Sequence, residues 1–315
     1  VLVRELLAQG YAVRVLDNLI YGHGASIAAL SDHPSFSFVL GDLVRGLKRN
    51  GVLREITDVV LLAGLVGDPI CRTYRKTAQE VNEQGSISLF EELYGRGINR
   101  FIFASTCSNY GLKPDDSMAT EASELNPQSL YAECKVAVEQ HILGRAGAID
   151  FCPTILRIAT AYGLSHRMRF DLTVSEFSRE LALRHPLTVY DENTWRPYCH
   201  VRDISAAIIR VLESEKDVVD GEVFNVGCNQ ENYTKKMIVS AITETVGHAE
   251  VNYKEGGVDP RNYRVSFDKI KSVLGFEPSF TIQSYIPRIV GAVQVGLYSD
   301  VEDRREFYGN YAIRS

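Results

Sequence analysis

Residues 100–111 read Arg100-Phe101-Ile102-Phe103-Ala104-Ser105-Thr106-Cys107-Ser108-Asn109-Tyr110-Gly111. An apolar run turns abruptly small and polar. A short apolar run closed in this way predicts a strand buried on both faces, with its polar end at the rim of a sheet. The form recurs on either side. Tyr11-Ala12-Val13-Arg14-Val15-Leu16 ends at Asp17-Asn18, Phe36-Ser37-Phe38-Val39-Leu40 at Gly41-Asp42, and Asp58-Val59-Val60-Leu61-Leu62 at Ala63-Gly64. Further runs occur at Ile155-Leu156-Arg157-Ile158-Ala159 and Val223-Phe224-Asn225-Val226. Helical patterns separate most of them, notably Thr77–Tyr94 and Tyr131–Leu143, and Leu2, Leu6 and Leu7 form one helical face stopped by Gly10. Strands alternating with helices predict an α/β fold, a doubly wound parallel sheet of Rossmann-like form. In such sheets a ligand lies beyond the C-terminal strand ends, where the polar residues above fall.

After about residue 165 the alternation loosens, and Arg167, Arg169, Trp195, Arg196, Pro197, Tyr198 and Arg261 populate loops. We therefore expect a dinucleotide-binding domain over residues 1–165. A smaller, interleaved C-terminal substrate-binding lobe is expected over 166–315, with a strand near 223–226 returning to the sheet. The tail from about Tyr298 is charged and aromatic and carries no motif.

The chain has 315 residues and a net charge of −6, from 34 Lys+Arg against 40 Asp+Glu. Mild acidity argues against a nucleic-acid surface held by bulk positive charge. No apolar run approaches the roughly 18–20 residues of a membrane span. Cys71, Cys107, Cys134, Cys152, Cys199 and Cys228 are scattered, without a C-x-x-C pair, so no metal site is expected and reduced thiols in a cytoplasmic protein are.

Asp17 ends the second strand expected of a dinucleotide fold, where an acidic residue accepts hydrogen bonds from the adenosine ribose and repels a 2′-phosphate. Asp42, one strand later, is a candidate for the adenine edge. Tyr131 and Lys135, four apart, share a helix face as Y-x-x-x-K. A free phenol titrates near about 10 and is a poor base at neutral pH, but a neighbouring ammonium and the nicotinamide's positive charge favour the phenolate and bring it into working range. A Thr106 hydroxyl at the preceding strand end completes a proton-handling set beside a hydride carrier.

These stretches, with Val15-Leu16-Asp17-Asn18-Leu19, Gly41-Asp42-Leu43, Leu62-Ala63-Gly64, Val81-Asn82-Glu83-Gln84-Gly85, Glu121 with Asn126-Pro127, Leu156-Arg157, Ala161-Tyr162-Gly163, Tyr198-Cys199-His200-Val201-Arg202-Asp203 and Leu274-Gly275-Phe276-Glu277-Pro278, resemble the extended short-chain dehydrogenase/reductase family, the NAD-dependent epimerase/dehydratases of nucleotide sugars. The resemblance spans nearly the whole chain. It implies that Thr106, Tyr131 and Lys135 are catalytic and that Asp17, Asn18, Asp42, Leu43 and Ala63, with Tyr131 and Lys135, line an NAD site. It puts Asn82 close behind the active site and Ser108, Arg169, Arg196 and Arg261 on the substrate, whose diphosphate suits guanidinium pairing. It implies a homodimer through helices that include the Tyr131 helix. His200 and Asp203 are expected to pack a loop onto the sheet, and Asp68 to form a turn.

Departures from the family pattern narrow the reaction. Dehydratases of the family place Asp-Glu after the catalytic Thr, and decarboxylating relatives a Glu in the same stretch. Here Cys107-Ser108 stands there, a poor acid–base pair. Ala159-Thr160 replaces the Phe-Asn that many epimerases set against the sugar nucleotide, leaving sugar and base unassigned. The expectation is an NAD-dependent epimerase of a nucleotide-diphosphate sugar, acting at C4 through a 4-keto intermediate. The alternatives are a 4-keto-sugar reductase and a non-catalytic sensor of NAD or sugar nucleotide. The family's first strand and its G-x-x-G-x-x-G loop have no counterpart before Val1. We therefore expect a longer natural protein, and unpaired inner edges on the two strands that would flank the first.

Overall fold

The computed structural model describes residues 1–44, 51–113, 117–257 and 261–313. The first half runs α1 (Leu2–Ala8), β1 (Val13–Asp17), α2 (Gly24–Ala28), β2 (Phe36–Leu40), β3 (Asp58–Leu61), α3 (Asp68–Thr73), α4 (Arg75–Gln79), α5 (Ser86–Glu92), β4 (Arg100–Thr106), β5 (Met118–Ala119), α6 (Leu130–Arg145) and β6 (Cys152–Ile158). The second runs β7 (Thr160–Tyr162), α7 (Thr173–Ala182), β8 (Leu187–Tyr190), β9 (Trp195–His200), α8 (Val201–Glu213), α9 (Lys216–Val219), β10 (Glu222–Val226), β11 (Asn232–Thr234), α10 (Lys235–Val246), β12 (Val251–Lys254), β13 (Arg264–Val265), α11 (Asp268–Leu274) and α12 (Ile282–Gln294).

The parallel sheet is present in two pieces. One has strand order β10-β6-β4-β3, and the other pairs β1 with β2. Among the described residues β1 pairs with β2 alone and β3 with β4 alone, so each keeps an unpaired edge. The strand from 223 does return to the sheet, as β10 beside β6. β6 starts at Cys152 rather than Ile155, because Pro153 interrupts the apolar pattern yet is tolerated near a strand's start. The helix expected over 77–94 is broken by a π-helical turn at Glu80–Gly85, which buries Asn82.

The core of the four-stranded piece lies on both faces. Phe90, Phe101, Phe103 and Ile155 form one cluster and Ile102, Leu156, Phe224 and Phe267 another. A separate core in the second half joins Phe177, Val189, Tyr198, Ile242 and Ile286 from α7, β8, β9, α10 and α12. His200 lies beneath Gly163, where any Cβ would strike the imidazole at 2.3 Å, and Asp203 accepts the Ser279 and Phe280 N–H groups at 2.9 and 3.1 Å. Both therefore tie loops to the frame, as read from sequence. The six cysteines are unpaired, and none of the described helices is long and apolar enough to cross a membrane.

Candidate active site

β4 delivers Thr106 to the sheet rim. Its Oγ1 accepts the Ser108 N–H at 3.1 Å and caps the 3-10 turn Cys107–Tyr110, which leaves the hydroxyl proton to donate outward. Ser129 caps α6 through the Ala132 N–H. Deeper along α6, Lys135 lies 2% exposed, its Nζ donating to the Ala104 carbonyl at 2.8 Å and resting 4.5 Å from the Phe103 ring centroid. Burial pulls this ammonium down to about 8, with Glu139 opposing. An ammonium has three donors, and one is spent on Ala104.

Tyr131 is also buried, and Lys135 Nζ lies 5.9 Å from its ring centroid. Burial pushes the phenol up from its ordinary value, Cys71 and Asp68 add to this, and Arg169 and Arg261 oppose it. Desolvation works against the phenolate that a neighbouring ammonium and the nicotinamide's positive charge together are expected to favour.

Behind these groups stands a buried polar frame. Glu139, one turn beyond Lys135 and 1% exposed, accepts from Ser105 Oγ, from Asn109 Nδ2 at 2.8 Å and from Arg157 Nη2 at 2.7 Å. Arg157 Nη1 continues to Tyr110 Oη at 3.0 Å, and Tyr110 donates to Asn225 Oδ1 at 2.7 Å. The frame ties α6 to β4, β6 and β10. Asn82 grips both sides of Leu65, its Oδ1 accepting the Leu65 N–H at 2.7 Å and its Nδ2 donating to the Leu65 carbonyl at 2.9 Å. Gly64 is required beside it, since a Cβ there would lie 2.9 Å from Asn82 Oδ1. π-Turns of this kind concentrate at functional sites.

At the other end, Asp17 Oδ1 accepts the Leu19 N–H at 2.7 Å with His23 Nε2 3.5 Å from Oδ2, and Asn18 Nδ2 donates to Asp42 Oδ2 at 3.0 Å. Burial works to raise the Asp17 carboxyl, but His23 and the Leu19 N–H outweigh it and hold it below the ordinary value. Ala63 stands exposed just past β3, while the Leu43 side chain packs against the apolar cluster around Leu61 and Phe90.

The arginines are held by protein partners. Arg261 pairs with Asp68 at 3.1 Å and donates to Ser108 Oγ at 3.3 Å, to which Tyr263 also donates at 3.4 Å. Asp68, read from sequence as a turn residue, is thus an ion-pair partner reaching across from the start of α3, and its Oδ1 is buried with no hydrogen-bond partner. Arg169 makes a bidentate pair with Asp171, both bonds at 2.6 Å. Arg196 is buried, donating to the Trp195 carbonyl at 2.7 Å with its guanidinium 5.2 Å from the Tyr263 ring centroid. Glu139, Asp68 and the Arg157–Tyr110–Asn225 chain escaped sequence reasoning. The available signal was Glu139 itself, four residues after Lys135 on the same helix face.

The chemistry of these donors fits a dinucleotide. A carboxylate stands at the end of β1, and a buried ammonium stands 5.9 Å from the centroid of the phenol ring.

Comparisons with known proteins point the same way. The NAD dependent epimerase/dehydratase family matches residues 1–227. A UDP-glucose 4-epimerase of Corynebacterium glutamicum is 25% identical over 298 residues, covering 88% of this chain and 86% of the relative. UDP-glucuronic acid decarboxylase 1 of Arabidopsis thaliana is also 25% identical, covering 92% of this chain and 66% of the relative. Among solved structures, DesIV, a dTDP-glucose 4,6-dehydratase from Streptomyces venezuelae with NAD and TYD bound, superposes with a TM-score of 0.82. It is 25% identical and covers 94% of this chain and 93% of its own.

Proposed function

The chain belongs to the NAD dependent epimerase/dehydratase family, and from that membership we propose that it interconverts nucleotide-diphosphate sugars at C4. The relatives named above include an epimerase, a decarboxylase and a dehydratase, so the choice among reactions rests on the residues. The observation that carries it is the pair directly after Thr106. Cys107 is 1% exposed, its Sγ donates to the Arg157 carbonyl at 3.1 Å, and burial drives the thiol far above its ordinary range. Ser108 Oγ is held by Arg261 and Tyr263. Neither can act as the acid–base pair that eliminating water or carbon dioxide requires, whereas the set for reversible oxidation at C4 is intact.

NAD, when bound, supplies a hydride acceptor and the nicotinamide's positive charge. Tyr131 then acts as base on the C4 hydroxyl, ionised by that added charge, and Thr106 donates a hydrogen bond to the same oxygen. Lys135 uses its remaining donors on ribose hydroxyls. The buried Glu139–Arg157 frame holds the helix and strand that carry the three groups. Asp17 holds the adenosine ribose, and Arg261 answers the substrate's phosphates across from Asp68. We further propose a homodimer through the Tyr131 helix, in a reducing, cytoplasmic setting suited to the unpaired cysteines.

The test is incubation of the NAD-loaded protein with a panel of nucleotide sugars, read by anomeric NMR. A second anomeric signal growing to equilibrium without added reductant is expected. Product formed only with stoichiometric loss of reduced nicotinamide would make the protein a ketoreductase instead.

A further inference from the structure

The tail after α12 has no motif, yet it does not trail into solvent. Residues 307–313 are instead tied to the candidate active site. Phe307 and Tyr308 pack with Met168 and Phe170, and the Phe170 N–H donates to the Tyr308 carbonyl at 2.8 Å. Asn310 comes next, only 5% exposed. Its backbone N–H donates to Asp171 Oδ2 at 3.1 Å, and its Nδ2 donates to the Val66 carbonyl at 2.7 Å. Its Oδ1 accepts from Arg167 Nη2 at 2.8 Å, and that nitrogen also donates to the Gly309 carbonyl at 3.2 Å. Ile313 then joins the apolar cluster of Leu65, Ile70, Cys71 and Tyr131.

These contacts meet on pieces of the site that are distant in sequence. Val66 stands in the loop between β3 and α3, two residues before Asp68, the partner of Arg261. Asp171 is the partner of Arg169, whose Nη2 would lie 3.7 Å from a Cβ at Gly67. Burial works to raise the Asp171 carboxyl, but Arg169 and the Asn310 N–H outweigh it, so it stays an anion that keeps Arg169 in place. Buried hydrogen bonds that join segments distant in sequence favour one geometry over its neighbours, even though Arg167 Nε is buried here with no hydrogen-bond partner.

Resting on the reading of the site as one for nucleotide sugars, we propose that Gly309–Ile313 is a strap that completes the substrate end of the active site, with Asn310 as its positioning residue. Asn310 touches neither Tyr131 nor Lys135. It acts through the Val66–Asp68 loop and the Arg169–Asp171 pair, so the docked strap sets how tightly the sugar nucleotide is held and leaves the proton transfer at Tyr131 alone.

The experiment uses the full-length, NAD-loaded chain with UDP-glucose as probe. Asn310→Ala should raise KM about tenfold, the worth of one well-placed buried hydrogen bond, with kcat and NAD affinity within about twofold. Amide hydrogen exchange should quicken over residues 65–74 and 167–171, while β4 and β6 keep their protection. Ile313→Ala, which leaves every Asn310 hydrogen bond in place, is the milder variant and should quicken exchange over residues 65–74. Unchanged KM in Asn310→Ala, or exchange that quickens evenly throughout the chain, would overturn the strap. If the wild-type protein turns over no nucleotide sugar, the epimerase reading fails, and the exchange pattern alone then decides for or against the strap.

Discussion

In the four-stranded sheet Phe101, Ile102, Phe103, Ile155, Leu156 and Phe224 have no exposed surface, whereas no residue of β1 or β2 is buried. The first piece carries Thr106 and, through α6, Tyr131 and Lys135. The second carries Asp17 and Asp42. The end we propose as catalytic therefore stands on a frame that is packed on both faces and cross-braced by Glu139 and Arg157, and the end we propose for the nucleotide on a pair of strands half open to water. A proton-transfer set tolerates little displacement, because a misplacement of about 1 Å can cost a hundredfold in rate. A carboxylate gripping ribose hydroxyls tolerates more.

The contrast can be broken by experiment. Tyr131→Phe should lower kcat about a thousandfold, the contribution expected of a positioned acid–base group, with nucleotide-sugar affinity retained. Near-normal turnover would remove the chemistry from the four-stranded end. Glu139→Ala leaves Arg157 buried without its anion and should cost about 3–5 kcal/mol, read from denaturant midpoints. A loss below about 1 kcal/mol would mean that the frame is not braced there. Truncations should separate the pieces directly. Ile155→Ala in β6 should cost about 3 kcal/mol and Val15→Ala in β1 about 1, and equal losses would erase the difference between the sheets.

The two ends should also answer pH in different windows, each gaining stability as pH rises through its own. Lys135 titrates at about 8 in the folded chain, against 10.5 ordinarily, so between these values the unfolded chain binds more protons. The cost of burying the ammonium is then present below pH 8 and is relieved as pH rises through that window. Lys135→Met should therefore be more stable than wild type at pH 7, by roughly 2–3 kcal/mol, with a smaller advantage at pH 9.5 and no turnover. Urea unfolding at both values checks this, and an advantage independent of pH would refute it. Asp17 is held below its ordinary 3.8. Its small stabilisation is present above that value and lost as pH falls below it. The last effect expected is on affinity. Asp17→Asn should weaken NAD binding about tenfold, measured by calorimetry, with kcat at saturating NAD unchanged.

Much of this was legible in the chain. β2 was read with both ends correct, and β1, β3, β4 and β10 to within two residues at either end, because buried parallel strands are continuous apolar runs. Thr106, Tyr131 and Lys135 were legible because strand-end position and i,i+4 spacing are local properties. The partners that fix them were not. Glu139 and Arg157 lie 18 residues apart in sequence and meet only when α6 covers the sheet. Asp68 and Arg261 come from opposite halves of the chain. Asn310 reaches Val66 across 244 residues.

Sequence alone determined the alternation of strands and helices, the family, the spacing of Thr106, Tyr131 and Lys135, which we propose as the catalytic set, and the thiol and hydroxyl that follow Thr106. All of these are set by residues close in the chain and by hydrophobic period. Tertiary structure alone decided that burial lowers the Lys135 ammonium and raises the Tyr131 phenol, and that Asn310 reaches Val66 and Asp171. Charge states and buried hydrogen bonds depend on what is removed from water, and only the assembled fold determines that.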